Sequence, residues 1–212
     1  GSTALTIDPE RSRRVKKVKL LILDVDGVLT DGRIIYDSQG RDSKFFDVHD
    51  GLGVYLLKRV GIKTILITAK GSKTIKPRAK DMRVEEFYED IFPKTKVLTK
   101  ILKKHRIKTE NICFIGDDLV DLSIMKAGGF PGAGANASED IKAASSYITQ
   151  KNGGRGAVHV AGVRLEPGRD AGFAQHGKQT LRPALRHAPG RRGEAALGAD
   201  QHRPRRIGPP GL

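Results

Sequence analysis

Apolar residues along this chain fall into two alternating patterns. Unbroken runs such as "LLILD" at 20–24, "KTILITA" at 63–69 and "NICFIG" at 111–116 suit strands buried on both faces, as in a parallel sheet. Between them lie stretches with helical spacing. In "KTKVLTKILKKHR" at 94–106 the apolar positions Val97, Leu98, Ile101 and Leu102 recur as one helix face. "GLGVYLLKRVG" at 51–61 reads as a helix capped by Asp50 and closed by Gly61. "SKTIKPRAKDM", with Pro77 near its first turn, "LVDLSIMKAG" and "SEDIKAASS" complete the helices. "EEFYEDIF" and "FPGAGANA" are weaker strands, the second thinned by its glycines. Two short β-like runs around Ser38-Gln39-Gly40 predict a hairpin over 33–51. Strands alternating with helices give an α/β fold, a doubly wound parallel sheet of Rossmann-like type with a β-hairpin flap and no sizeable cap domain.

The pattern also divides the chain. Residues 1–17 form a basic leader, "RSRRVKK" at its end, whose opening Gly1-Ser2 reads as a tag-cleavage scar. Residues 18–158 form the α/β domain. From about Gly156 the composition turns to nine Arg against one Lys, with frequent Gly, Pro and His and no apolar period. Residues 159–212 therefore read as an atypical, disordered tail, either a basic arm or an out-of-frame end.

Composition adds limits. The single Cys113 excludes an internal disulfide, and its setting in "NICFIGDD" predicts a buried apolar role. No run of roughly 18 apolar residues and no signal peptide is present, which predicts a cytoplasmic protein without membrane contact. The formal charge of +15 raises the question of nucleic acid. Its distribution argues against that partner, because the basic residues are scattered over solvent faces and not interleaved with aromatics.

The candidate chemistry lies in carboxylates. Asp24 and Asp26 stand where the first strand ends, and in an extended segment residues two apart share a face. Asp117, Asp118 and Asp121 follow the "CFIG" strand at the same edge of the sheet, where parallel α/β folds place their ligand crevice. The spacing of Asp118 and Asp121 predicts that both lie on one helix face. Clustered carboxylates repel, and a hard divalent cation with oxygen ligands, Mg2+ above all, resolves the conflict while leaving positions for phosphate.

"DVDGVLTDG", "LITA", "FPKTK" and "GDDLVD", in that order, resemble the four motifs of the haloacid dehalogenase superfamily of phosphohydrolases. The resemblance implies that Asp24 is the nucleophile, Asp26 the acid/base and Thr68 the group orienting the phosphoryl. It implies that Lys96, by itself an ordinary solvated helix lysine, balances phosphate charge. Asp24, the Asp26 carbonyl and Asp117 would hold Mg2+, with Asp118 and Asp121 in support. The hairpin, "DVHDGLG" and "KNGGRGAV" further resemble the 3-deoxy-D-manno-octulosonate 8-phosphate phosphatases. That likeness implies a sugar-acid phosphate substrate in lipopolysaccharide precursor synthesis and a homotetramer in which a neighbouring subunit closes each active site. It places Asp26, Asp47, Val48, His49, Asp50, Gly51, Lys70, Arg78, Lys96 and Arg155 around the substrate.

The chain departs from that pattern at Ala69-Lys70, where Gly-Arg is usual, at Tyr55, where an arginine is expected, and in the glycines of "FPGAGANA". The family's closing apolar helix is also expected to be absent after Val158. Two rivals remain at this stage. One is a nonulosonate 9-phosphate phosphatase, which Arg155 disfavours because such relatives carry an acid there; the other is a noncatalytic basic nucleic-acid-binding protein.

Overall fold

The run "LLIL" forms strand β1, Leu20–Leu23, with all four residues buried. Period-two alternation sends Leu20 and Ile22 to one face of the sheet and Leu21 and Leu23 to the other, so each apolar run feeds two cores at once. The computed structural model describes residues 9–165. Around β1 stand β4 (Lys63–Ile67), β5 (Glu86–Tyr88), β6 (Ile112–Gly116), β7 (Phe130–Ala133) and β8 (Tyr147–Ile148) in one sheet of order β5-β4-β1-β6-β7-β8. Every pairing is parallel. A separate two-stranded hairpin, β2 (Ile35–Tyr36) and β3 (Asp42–Ser43), follows β1. The chain builds outward from β1 on one side, then returns to place β6 on the other. The sheet reverses its winding there, and this is where such folds open a crevice.

Helices α2 (Val48–Arg59), α3 (Ile75–Asp81) and α7 (Ala157–Leu165) cover one face through Val54, Leu57, Ile75, Val158, Ala161 and Leu165. Helices α4 (Leu98–His105), α5 (Leu122–Ala127) and α6 (Glu139–Ala144) cover the other through Ile101, Ile124, Met125 and Ile141. Cys113 is buried in the first core, and burial pushes its thiol up to about 12. It is apolar filling, as expected. Strand β7 forms despite Gly132 and Pro131, because interior placement between β6 and β8 supplies pairing on both sides.

The boundaries drawn from sequence need correction at both ends. The leader contains α1, Pro9–Lys16, whose Arg14 donates to the Gly129 carbonyl and stacks near Phe130, while Arg11 donates to the Ser146 carbonyl. Gly129 and Ser146 precede β7 and β8, so these arginines are spent on loops at the sheet's amino end. At the other end the domain does not stop at Val158. Helix α7 runs on to Leu165 and closes the core with Val158, Ala161 and Leu165, so an apolar helix stands where none was expected. Loss of apolar period beyond that point hid its last two turns. The predicted disorder of later residues lies outside the described residues.

Asp47, not Asp50, is the N-cap of α2, accepting from the His49 backbone at 2.8 Å. Asp50 sits inside the first turn, buried, and its Oδ1 accepts from the Val158 and His159 backbone N–H groups at 2.9 and 3.2 Å. It therefore caps α7 across the helix pair. Gly53 permits this contact, since a Cβ there would come within 2.6 Å of the His159 Cα. Asp50→Ala should remove that cap and lower stability by about 1 kcal/mol, as read by urea denaturation, while Asp50→Asn, which keeps an acceptor oxygen, should lose less.

Candidate active site

Three strand ends converge at the carboxyl edge of the sheet. Asp24 follows β1 and its N–H donates to Ile115; Thr68 follows β4 and its N–H donates to Tyr88; Asp117 follows β6. Asp24 is only 5% exposed, and carboxylate oxygens of Asp24, Asp117 and Asp121 all lie within 4.8 Å of one another. Burial first, then the Asp121 charge, pushes Asp24 up to about 7 against the pull of Lys94. Burial followed by Asp24 and Asp121 does the same to Asp117, also to about 7. Two clustered acids held this far above the ordinary range are a site short of positive charge.

The lysine that answers them is Lys94. Its Nζ lies 2.7 Å from Asp24 Oδ1 and 2.5 Å from Asp121 Oδ1, and its side chain is wholly buried. Burial works against its charge, but Asp24 and Asp121 outweigh it and hold the ammonium above the usual lysine value. Lys96, expected in this position, is exposed. "FPKTK" offers two lysines two apart, and helical spacing from Val97 onward carries no information about which points inward. The segment instead begins with a 3-10 turn, Lys94–Val97, after a cis Phe92–Pro93 peptide, and the turn aims Lys94 into the crevice.

Asp118 and Asp121 also part company. A 3-10 turn, Leu119–Asp121, makes Asp118 an exposed N-cap that accepts from Leu119 N–H at 2.7 Å. Asp121 is turned inward, and both its oxygens are engaged, Oδ1 by Lys94 and Oδ2 by the Asp117 N–H at 3.0 Å. Asp121 is therefore the brace of Lys94 and of the Asp117 backbone, which leaves Asp24 and Asp117 as the carboxylates open to a cation.

Asp26 is held from the hairpin side, Lys44 Nζ lying 2.6 Å from its Oδ1. Gly27 next to it has φ of +83°, and a Cβ there would lie 1.7 Å from Asp117 Oδ2, so only glycine lets the two acidic loops meet. Asn136 after β7 donates to the Gly27 carbonyl at 2.9 Å and accepts from Gly153 N–H at 2.6 Å. A Cβ on Gly153 would fall 1.8 Å from the Gly27 carbonyl oxygen. The glycines of "NGGRG" are thus packing residues that dock this loop on the β1 exit, and they carry Arg155 to an exposed position. Lys44, Lys94 and Asn136 were not singled out from sequence.

The remaining expected residues are placed as follows. Thr68 is buried, and its hydroxyl donates to the Lys70 carbonyl at 3.0 Å. Lys70 is exposed and donates to the Tyr36 hydroxyl at 2.9 Å, a bond that raises its pKa. Burial disfavours the charge of Asp47, but bonds from the His49 backbone and ring outweigh it and hold the acid low. Val48 and His49 are exposed on the first turn of α2. Arg78 donates to the Asp47 carbonyl at 2.7 Å, lies over Phe46 and closes against Gly51, so it braces the entry to α2. Asp50, turned into the core as the α7 cap, does not line the crevice.

Residues 67–160 match the family model of haloacid dehalogenase-like hydrolases. The 3-deoxy-D-manno-octulosonate 8-phosphate phosphatase of Salmonella typhimurium is 34% identical over 152 residues, covering 72% of this chain and 81% of that protein. The chain belongs to the haloacid dehalogenase-like hydrolases. Its fold agrees with that of the 3-deoxy-D-manno-octulosonate 8-phosphate phosphatase of Moraxella catarrhalis, solved with a magnesium ion, a phosphate ion and a KDO molecule. The TM-score is 0.76 at 36% identity, over 80% of this chain and 98% of that one. The cobalt-bound Haemophilus influenzae phosphatase gives 0.70 at 31% identity, over 73% of this chain and 91% of that one. The capless architecture is shared with the Moraxella catarrhalis structure, of which 98% is covered. Among the described residues no helix is long and apolar enough to cross a membrane.

The raised acids carry a pH signature. Asp24 and Asp117 bind protons more tightly folded than unfolded, so the metal-free protein should be most stable below about pH 4 with respect to these groups, losing that contribution as pH rises through about 7. A divalent cation would relieve the repulsion. Thermal melts should show a larger Mg2+-induced rise in Tm at pH 8 than at pH 5.

Proposed function

We propose that this protein is a Mg2+-dependent phosphomonoesterase that hydrolyses 3-deoxy-D-manno-octulosonate 8-phosphate to the free sugar acid and phosphate. The observation that carries the reading is the buried Asp24 carboxylate held against Lys94, beside Asp117, at the strand edge where open parallel α/β sheets form their ligand crevice. The oxygen-only donor set of Asp24, Asp117 and the Asp26 carbonyl fits a hard cation. Mg2+, when bound, supplies positive charge to offset these carboxylates and the phosphate.

Asp24 attacks phosphorus and forms an aspartyl-phosphate, while Asp26 gives a proton to the departing sugar oxygen. Asp26 then takes a proton from the water that attacks the acyl-phosphate and frees Asp24. Lys94 holds Asp24 in line and offsets negative charge on the phosphoryl group; Thr68 shapes the loop that faces it. Lys70 and Arg155, both exposed cations at the rim, suit the carboxylate of a sugar acid.

The product supplies lipopolysaccharide precursor synthesis in the cytoplasm. The working form is a homotetramer in which a neighbouring subunit closes each site. Supporting this, exposed apolar side chains gather on the hairpin and α2, including Ile34, Tyr36, Phe45 and Val48, the last two each 75% exposed. The test is phosphate release over a panel of sugar-acid phosphates with and without Mg2+. The 8-phosphate should give the highest kcat/KM; preference for a nonulosonate 9-phosphate would assign the substrate differently, and Mg2+-independent turnover would remove the cation from the mechanism.

A further inference from the structure

The hairpin has one residue that behaves unlike its neighbours. Phe45 beside it is 75% exposed, yet the Lys44 side chain is only 5% exposed. Alternation out of β3 turns Lys44 inward, off the flap and into the crevice. There its Nζ meets Asp26 Oδ1 at 2.6 Å. Thr30 Oγ1, which accepts from the Gly27 and Gly32 N–H groups, faces the same oxygen at 3.5 Å. Among the described residues, nothing hydrogen-bonds Asp26 Oδ2.

We propose that Lys44 is a positioning residue for Asp26: it fixes Oδ1, and so sets the carboxyl rotamer in which Oδ2 faces the leaving-group oxygen. This rests on Asp26 being the proton donor. The contact is compatible with that role, because in the acid form Oδ1 is the carbonyl oxygen and accepts from Nζ while Oδ2 carries the proton. When the bond to phosphorus breaks, that proton passes to the sugar oxygen and leaves a carboxylate still held by Lys44. Without Lys44, a carboxyl on a strand exit with 31% side-chain exposure would be held only by the long 3.5 Å hydrogen bond that Thr30 donates to Oδ1. Misplacement by an ångström or so can cost on the order of 10²-fold.

The test separates leaving groups. A sugar oxygen must be protonated as it leaves, whereas p-nitrophenolate leaves without a proton, and kcat/KM reports the step in which phosphate is transferred to Asp24. Lys44→Met and Lys44→Gln should lower kcat/KM for the sugar-acid phosphate on the order of 10²-fold and that for p-nitrophenyl phosphate far less, and Lys44→Arg should restore most of the ratio. Asp26→Asn should show the same split, larger. Arg41→Gln, which breaks the exposed Arg41–Asp37 pair of the hairpin without touching Asp26 or Lys70, should leave the ratio as in the wild type. If Asp26→Asn shows the split and neither neutral Lys44 variant does, Lys44 does not position Asp26. If Asp26→Asn shows none, Asp26 is not the donor, and the role given to Lys44 falls with it.

Discussion

Asp24→Asn should reduce phosphate release to background while making the metal-free protein more stable at pH 8. The two effects have one origin. Asp24 is 5% exposed and its pKa is pushed up to about 7, so at pH 8 the fold bears a buried charge that it holds at a cost. Asparagine removes the charge and keeps an oxygen for Lys94. It also removes the proposed nucleophile, while Asp121 is spent on Lys94 and the Asp117 backbone and Asp26 is held by Lys44. Activity and thermal melts on one preparation check both halves. A variant that lost activity and also melted earlier at pH 8 would mean that the charge on Asp24 stabilises the fold.

Lys94→Met should be nearly as damaging as Asp24→Asn, and Lys96→Met nearly silent. Lys94 is enclosed with Asp24 and Asp121 on either side, and removing one partner from a buried ionic group typically costs roughly 3–5 kcal/mol. The lost charge should also lower kcat/KM by on the order of 10²–10³-fold, as removal of a preorganised electrostatic contact does. Lys96 is exposed and should change kcat/KM by less than about twofold, in line with other surface substitutions. Chemical denaturation paired with steady-state kinetics on both variants separates the two lysines.

The exchange of Lys96 for Lys94 marks how far the sequence could be read. The strands were legible because "LLILD", "KTILITA" and "NICFIG" must bury both faces, and their shared edge brings Asp24 and Asp117 together, whereas Thr68 was signalled only by the family resemblance. Which residue of a turn points inward is a matter of backbone geometry, and there the pattern is silent. A 3-10 turn selected Lys94, and another separated Asp118 from Asp121. Asp50 looked like a cap for the helix that follows it, and it caps α7, more than a hundred residues later. Asn136 joins two loops whose meeting depends on Gly27 and Gly153, a contact between distant segments that no local period encodes. Lys44 carries no signal in the sequence, since a lysine on a short polar hairpin is ordinarily solvated.

The proposed mechanism turns on a covalent phosphoryl group at Asp24. Borohydride reduces an acyl-phosphate to an alcohol, so quenching the enzyme during turnover with borohydride should convert residue 24 to homoserine, found by peptide mass spectrometry. The conversion should require substrate and be absent from Asp24→Asn. Its absence under turnover, or its appearance at Asp26 or Asp117 in place of Asp24, would contradict the mechanism.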